Sequence, residues 1–444
     1  MKNYASVLFV FITVLLPRHA FGQVNWTRHT VTDNFGGACS IHAQDINGDT
    51  LIDIIGAGID SDRVAVWINE GGNPISWTMQ MVDTMFNGAV FVYAEDVDSD
   101  GDHDILACSW YGNELAWWQN GGGSPIAWTK HSIATGFFNA HEITAIDMDG
   151  DNDIDVLGAA ALTDEIAWFE NDGLVPPGWT EHTISNSFDG ARSVKAADID
   201  GDGLLDVVGA ALLENAVTWW RNNGDSTWTE HVLDNYFGMA HMVYALDIDA
   251  DGDSDVVAAA YTANAIAWWR NDGGTPVQFT KQIIDGALAG ALGVFAKDIN
   301  NDGHTDVLGT ADYTDDVTWY SNSGTSPISW TKTIIDGGCD GAWPVYAADL
   351  DGDGDIDVLA AANASHDIYW YENDLIGINE NGSVCFDTPQ LRATIIRGPL
   401  RLPPGTNYRI LDIAGRDVAP QEMASGIYFI QNEGVICQKI VKIQ

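Results

Sequence analysis

The sequence predicts an all-β protein: a seven-bladed β-propeller followed by a small C-terminal β-sandwich domain. Three observations carry that expectation. A nine-residue acidic loop such as DIDGDGLLD returns with its first residue at 45, 96, 147, 198, 247, 298 and 349, in steps of 51 broken once by 49. A Trp-Thr pair or a variant keeps step with it, at Trp26, Trp77, Trp128, Trp179, Trp228, Phe279 and Trp330. So does a third column, Val66, Trp117, Trp168, Trp219, Trp268, Trp319 and Trp370, each three residues before an Asn. Periods of 40–50 residues made of short strands are the mark of propeller blades, and a closed ring lets 444 residues share a core that one ordinary domain could not build.

Each unit parses into four strands. In the fourth, ARSVKAAD (191–198) alternates and carries small residues; it is strand A. The acidic loop follows. DVVGAAL (206–212) is a continuous apolar run, as expected of a strand buried on both faces, and is strand B. NAVTWWRN (215–222) is strand C; its paired aromatics point to opposite faces because side chains alternate along a strand, so they wedge between blades. A Gly-containing turn leads to TWTEHVL (227–233), strand D. The last C strand, DIYWYEN (367–373), has no Trp-Thr strand after it, whereas NWTRHTV (25–31) stands unclaimed before the first loop. The N-terminal strand should therefore complete the last blade and remove the ring's free edges.

Four segments divide the chain: 1–22, a propeller over 23–373, a linker over 374–384 and a small domain over 385–444. The first reads as a secretory signal: Lys2, an apolar run over Val7–Leu16 and small residues at Ala20 and Gly22, with a cut before Gln23. That run is too short to span a bilayer, and no later stretch is longer, so the expected product is secreted, extracellular or at the cell surface, with no transmembrane segment. In such a compartment disulfides can form; Cys39 with Cys339 across the ring seam, and Cys385 with Cys437, are the pairs considered. A net charge of −45 excludes nucleic acid and anionic membranes as partners.

The acidic loops set side-chain oxygens at positions 1, 3, 5 and 9. They are Asp45, Asn47, Asp49 and Asp53; Asp96, Asp98, Asp100 and Asp104; Asp147, Asp149, Asp151 and Asp155; Asp198, Asp200, Asp202 and Asp206; Asp247, Asp249, Asp251 and Asp255; Asp298, Asn300, Asp302 and Asp306; Asp349, Asp351, Asp353 and Asp357. Crowded carboxylates around one turn repel unless a hard cation joins them, and Ca²⁺ takes six to eight oxygens. Without Cys or His in the set, zinc is disfavoured. Up to seven calcium ions are expected, one per blade, each fastening strand A to strand B, with position 9 binding through both oxygens. Position 6 must turn with positive φ. Gly stands there in five loops, Asn152 in the third and Thr50 in the first, so the first site should be the weakest.

These units resemble FG-GAP repeats, also called VCBS repeats, the blades of integrin-like propellers. The Gly-Ala before strand A, the nine-residue loops and the DVLGAA-type strand after them carry the resemblance, over about 26–373. It implies a propeller with calcium in its loops; the family spans adhesion proteins, lectins and some enzymes. The tail resembles the C-terminal sorting domain of the type IX secretion system, through Asp412-Ile413-Ala414-Gly415-Arg416, Ser425-Gly426-Ile427-Tyr428-Phe429 and Lys439-Ile440-Val441-Lys442. That resemblance implies the secretion machinery as a partner.

Strand order puts the acidic loops and the C–D loops on one face and the D–A and B–C loops on the other. The column Phe35, Phe86, Phe137, Phe188, Phe237, Leu288 and Cys339 is nearly constant and reads as packing. The position just after the strand A alanine is not constant: Cys39, Val90, His141, Arg192, His241, Leu292 and Trp343. Scatter in a symmetric frame suits an asymmetric ligand. His141, Glu142, Arg192, His241 and Trp343, with Trp110 and Tyr111 from a B–C loop, are the candidate ligand-binding residues, for a glycan or a surface protein. Two functions fit: a calcium-binding adhesion or lectin-like module, or a calcium-dependent polysaccharide lyase or glycoside hydrolase, for which Glu142 beside His141 with Arg192 is the only acid–base constellation.

Overall fold

The computed structural model describes residues 23–376 and four strands further on, 394–397, 408–412, 426–432 and 435–443. The expected signal segment 1–22, most of the linker and Cys385 lie outside the described residues. The chain divides into two compact units, one spanning Asn25–Asp374 and the other including Leu375–Gln444.

The larger unit is a ring of seven four-stranded antiparallel sheets. In the fourth blade, strand A is Ala191–Ala197, B is Asp206–Ala211, C is Ala216–Asn222 and D is Trp228–Asp234. Each strand pairs with the next in sequence. Strand B is buried along its whole length in every blade, which is why its sequence is a continuous apolar run. The ring closes as expected. Gln23–Thr32 is the outermost strand of the sheet formed by Ala342–Ala348, Asp357–Ala362 and Asp367–Ile376. There Arg28 pairs with Asp336 of the preceding blade at 3.0 Å, and His29 stacks on Trp370 at 4.4 Å.

Both aromatic columns belong to the core. Phe35, Phe86, Phe137, Phe188 and Phe237 are buried, and each meets a strand C aromatic edge-on, with centroids 4.8–5.6 Å apart. The paired aromatics Trp117 and Trp118, Trp219 and Trp220, and Trp268 and Trp269 are all within a few per cent of complete burial. On strand D, His131, His182 and His231 lie flat on Trp117, Trp168 and Trp219 at 4.4–4.7 Å.

The Cys39–Cys339 bridge is not present: both thiols are free. They occupy different columns of the repeat. Cys39 Sγ points at the next blade, donating toward the carbonyls of Ala89 (3.3 Å) and Val90 (3.4 Å), while Cys339 fills the core position that Phe takes elsewhere.

In the smaller unit, Thr394–Arg397, Val435–Ile443, Gly426–Asn432 and Tyr408–Asp412 form one sheet in that order, its first pair parallel. The expected sandwich and the Cys385–Cys437 pair rest on residues outside the described set. Among the described residues no helix is long and apolar enough to cross a membrane.

Candidate functional site

The seven acidic loops share one backbone plan. Position 6 has positive φ in every loop, including Thr50 (76°) and Asn152 (76°). Position 4 does too, in Gly48, Ser99, Gly150, Gly201, Ala250, Asn301 and Gly352. The carboxylate at position 1 caps the turn; Asp198 accepts the N–H groups of Gly201 at 2.8 Å and Gly203 at 2.9 Å. In the fourth loop position 3 accepts from the N–H of position 5, and position 5 from that of position 7, whereas in the second and fifth the N–H of position 5 goes to position 1. Carboxylate oxygens converge within 4.8 Å in five loops, from Asp96, Asp98 and Asp104; Asp147, Asp149 and Asp155; Asp198, Asp200 and Asp206; Asp247, Asp249 and Asp251; and Asp349, Asp351 and Asp353. Among the described residues the first and sixth loops, with Asn47 and Asn300 at position 3, form no such trio.

These residues fit a hard cation. Buried Oδ1 atoms of Asp98 and Asp249, both at position 3, have no hydrogen-bond partner. An orphaned buried carboxylate oxygen is costly and is what an ion would satisfy. Asp45, Asp49 and Asp53 with Asn47, and the four equivalent residues of each other loop, would hold the ion.

Position 9 does more than the sequence reading gave it. Asp206 Oδ2 accepts the N–H of Ile199 at 3.2 Å and Oδ1 that of Asn222 at 2.7 Å, and each blade repeats both bonds. Burial pushes these carboxyls up, to about 6 for Asp53 and Asp155, about 7 for Asp206, Asp255 and Asp306, and about 8 for Asp104 and Asp357. The partner Asn then reaches out of its blade. Asn271 Nδ2 donates to Ser254 O (3.1 Å) in its own loop and to Ile199 O (2.8 Å) in the preceding blade. Asn69, Asn120, Asn171, Asn322 and Asn373 make the same cross-blade bond. Asn222 Nδ2 donates only to Leu205 O, in its own blade. The signal in the sequence is an Asn at constant spacing, three residues after the strand C column.

The loops also differ through the residue before that Asn. Arg221 pairs with Asp200, and with Asp202 at 2.7 Å, so the fourth loop carries its own cation. Gln119 donates to Asp98. In the third and seventh blades Glu170 and Glu372 stand there, bonded to His182 and His29 at 2.7 Å, and add negative charge beside Asp149 and Asp351.

On the opposite face the geometry starts from a bulge. Strand A shifts register just after its first alanine in all seven blades. The extra residue is the variable one, and the bulge re-aims it toward the mouth of the ring. Four of the seven variable residues meet there. Arg192 lies over Trp110 at 5.5 Å and Trp343 at 5.8 Å. His141 packs against Trp110 (5.2 Å) and His241 (5.9 Å), and His241 against Trp343 (6.0 Å). Burial lowers Arg192 to about 9 and holds both imidazoles well below their ordinary range, with the nearby guanidinium adding to the effect. Beside them a cavity of about 270 Å³ is lined by Arg192, Met239, His241, Tyr261, Asp312, Trp343 and their neighbours. Met239 holds φ 53° where most blades have Gly, a strain of roughly 1 kcal/mol at the pocket wall.

Two expected members stand apart. Tyr111 is on the rim, 61% exposed. Glu142 is buried; Lys195 takes one carboxylate oxygen and the N–H of Val194 donates to the other at 3.1 Å.

Fold and loops together define a seven-bladed propeller with an acidic turn in each blade. The FG-GAP-like repeat matches residues 45–107, 96–158, 147–209, 247–309 and 298–360, more than half of the chain, and the protein belongs to that family. No curated protein matches its sequence. Among solved structures it is similar to BBS1N in complex with ARL6DN, soaked with lead, at a TM-score of 0.54 and 9% identity, over 80% of this chain and 97% of that one. The mercury-soaked crystal gives 0.54 and 9%, over 79% and 97%. At that identity the likeness is one of fold.

Proposed function

We propose that the protein is an exported, surface-acting binding propeller: calcium cements the acidic loops, and the D–A/B–C face holds a glycan or a surface protein. One observation carries the choice of face. Met85, Tyr111, Phe138, Leu162, Leu213, Tyr236 and Tyr313 are large apolar side chains, each at least half exposed, and all belong to D–A or B–C loops. The acidic face exposes only Leu174, Val175 and Leu204 among its loops. Apolar groups gathered on one side of a soluble ring mark a contact surface. The acidic face is committed to metal by its chemistry; its first loop, with Asn47 and Thr50, is the weakest of up to seven sites. The C-terminal unit serves export through the type IX machinery, in line with the N-terminal signal pattern. Tyr111→Ala with Tyr313→Ala should abolish binding to a glycan array or cell surface at an unchanged melting temperature. If that double variant binds normally, while a folded Asp351→Ala variant does not, the face is wrongly chosen.

A further inference from the structure

We propose that the mouth pocket takes an acidic sugar, with the guanidinium of Arg192 receiving its carboxylate or sulfate group. This rests on the binding reading above and names the ligand's chemistry. Arg192 is 9% exposed. Among the described residues no carboxylate pairs with it, although the chain has 64 acidic and only 19 basic residues. Its Nε has no hydrogen-bond partner. Lys195, Arg221, Arg270, Lys281 and Lys332 all have ion-pair partners. An unpaired buried charge destabilises a fold, and packing does not call for one here: Val90 and Leu292 fill the same position in other blades.

The surroundings explain what the charge can do. The guanidinium lies over the indoles of Trp110 and Trp343, a cation–π contact that uses none of its N–H donors. Its planar fork of donors, with Nε unpartnered, matches a planar or tetrahedral oxyanion. The rest of the pocket suits the hydroxyls and apolar face of one sugar residue. Asn363 Nδ2 in the lining is buried without a partner, and Trp343 offers an aromatic surface. Asp312, the one carboxylate in the lining, is engaged by the Tyr261 hydroxyl at 2.8 Å and makes no ion pair with Arg192.

The test is calorimetric titration of the mature, calcium-loaded protein with trigalacturonate, a sulfated galactose trisaccharide and neutral maltotriose. An acidic trisaccharide should bind at least tenfold more tightly than maltotriose, and the stronger of the two identifies the anion. Arg192→Met should erase that preference without lowering the melting temperature, because it removes an unpaired charge. Arg192→Lys, which keeps charge but loses the fork, should recover only part of it. Equal binding of all three sugars, acidic-sugar binding unchanged in Arg192→Met, or binding of a triaspartate peptide in place of the sugars would each overturn the proposal. So would a melting temperature lowered by Arg192→Met, which would make the guanidinium a structural group. If the Tyr111/Tyr313 double variant loses binding to a surface that Arg192→Met still binds, the face stands and the acidic sugar falls.

Discussion

Position 9 of the acidic loops is Asp in all seven blades, and the Asn that it bonds is present in all seven. Across the ring, the bulged residue of strand A takes six identities in seven blades, and those at Arg192, His141, His241 and Trp343 converge. The contrast separates two kinds of constraint. Where every blade needs the same bond to its neighbour, the same side chain recurs. Where the chain faces something outside itself, the blades are free to differ, and a seven-fold frame can present one asymmetric pocket. Substitutions on the first face should therefore act on stability, and those on the second on binding.

Both faces depend on a closed ring, so the largest effect tests their common frame. Deleting 25–31 removes the outer strand of the last blade, and cooperative melting followed by circular dichroism should disappear. Next, Asn271→Ala loses a bond to each of two blades and leaves buried groups unpaired, an expected cost of about 2–4 kcal/mol by denaturant unfolding. Asn222→Ala, which lacks the cross-blade bond, should cost about half as much, and Tyr111→Ala on the other face no more than about 0.5 kcal/mol. Equal costs for Asn271 and Tyr111 would erase the distinction between the faces.

Between the faces, His42 lies in the channel against Tyr93 and Tyr346, and burial, helped by Lys195 and His103, lowers it to about 3. The unfolded imidazole titrates near 6.5, so this contribution is intact above that pH and is lost as pH falls, because only the unfolded chain takes up the proton. At pH 5 the loss is about 2 kcal/mol. The stability difference between the parent and His42→Phe, both in saturating calcium, should change by that amount between pH 7.5 and 5. The smallest effect concerns unlike loops on the same face. Arg221→Gln removes the fourth loop's internal cation; it should slightly weaken the calcium-free protein and enlarge the gain on adding calcium in paired unfolding curves.

The propeller, its strand order and its closure were legible because blade structure is periodic, and a period of 51 survives where single positions vary. The acidic turns were legible for the same reason, down to positive φ at Thr50 and Asn152. The second role of position 9 was not. Asp206 bonding to the Asn222 backbone, and Asn271 reaching into another blade, depend on the angle between sheets, which spacing does not encode. At the mouth, scatter in one column pointed to Arg192, His141, His241 and Trp343, but not to the bulge that gathers them. Glu142 looked like their neighbour, yet one step along the strand turns its side chain to Lys195.

The most direct test of the central claim, that the repeated face is held by calcium, is thermal melting of the mature protein in excess calcium and in a chelator. Ions at a hundredfold excess over their dissociation constants add about 2.7 kcal/mol per site, so several sites should lower the melting temperature by roughly 10 °C or more when calcium is removed. Superimposable melting curves in the two conditions would contradict it.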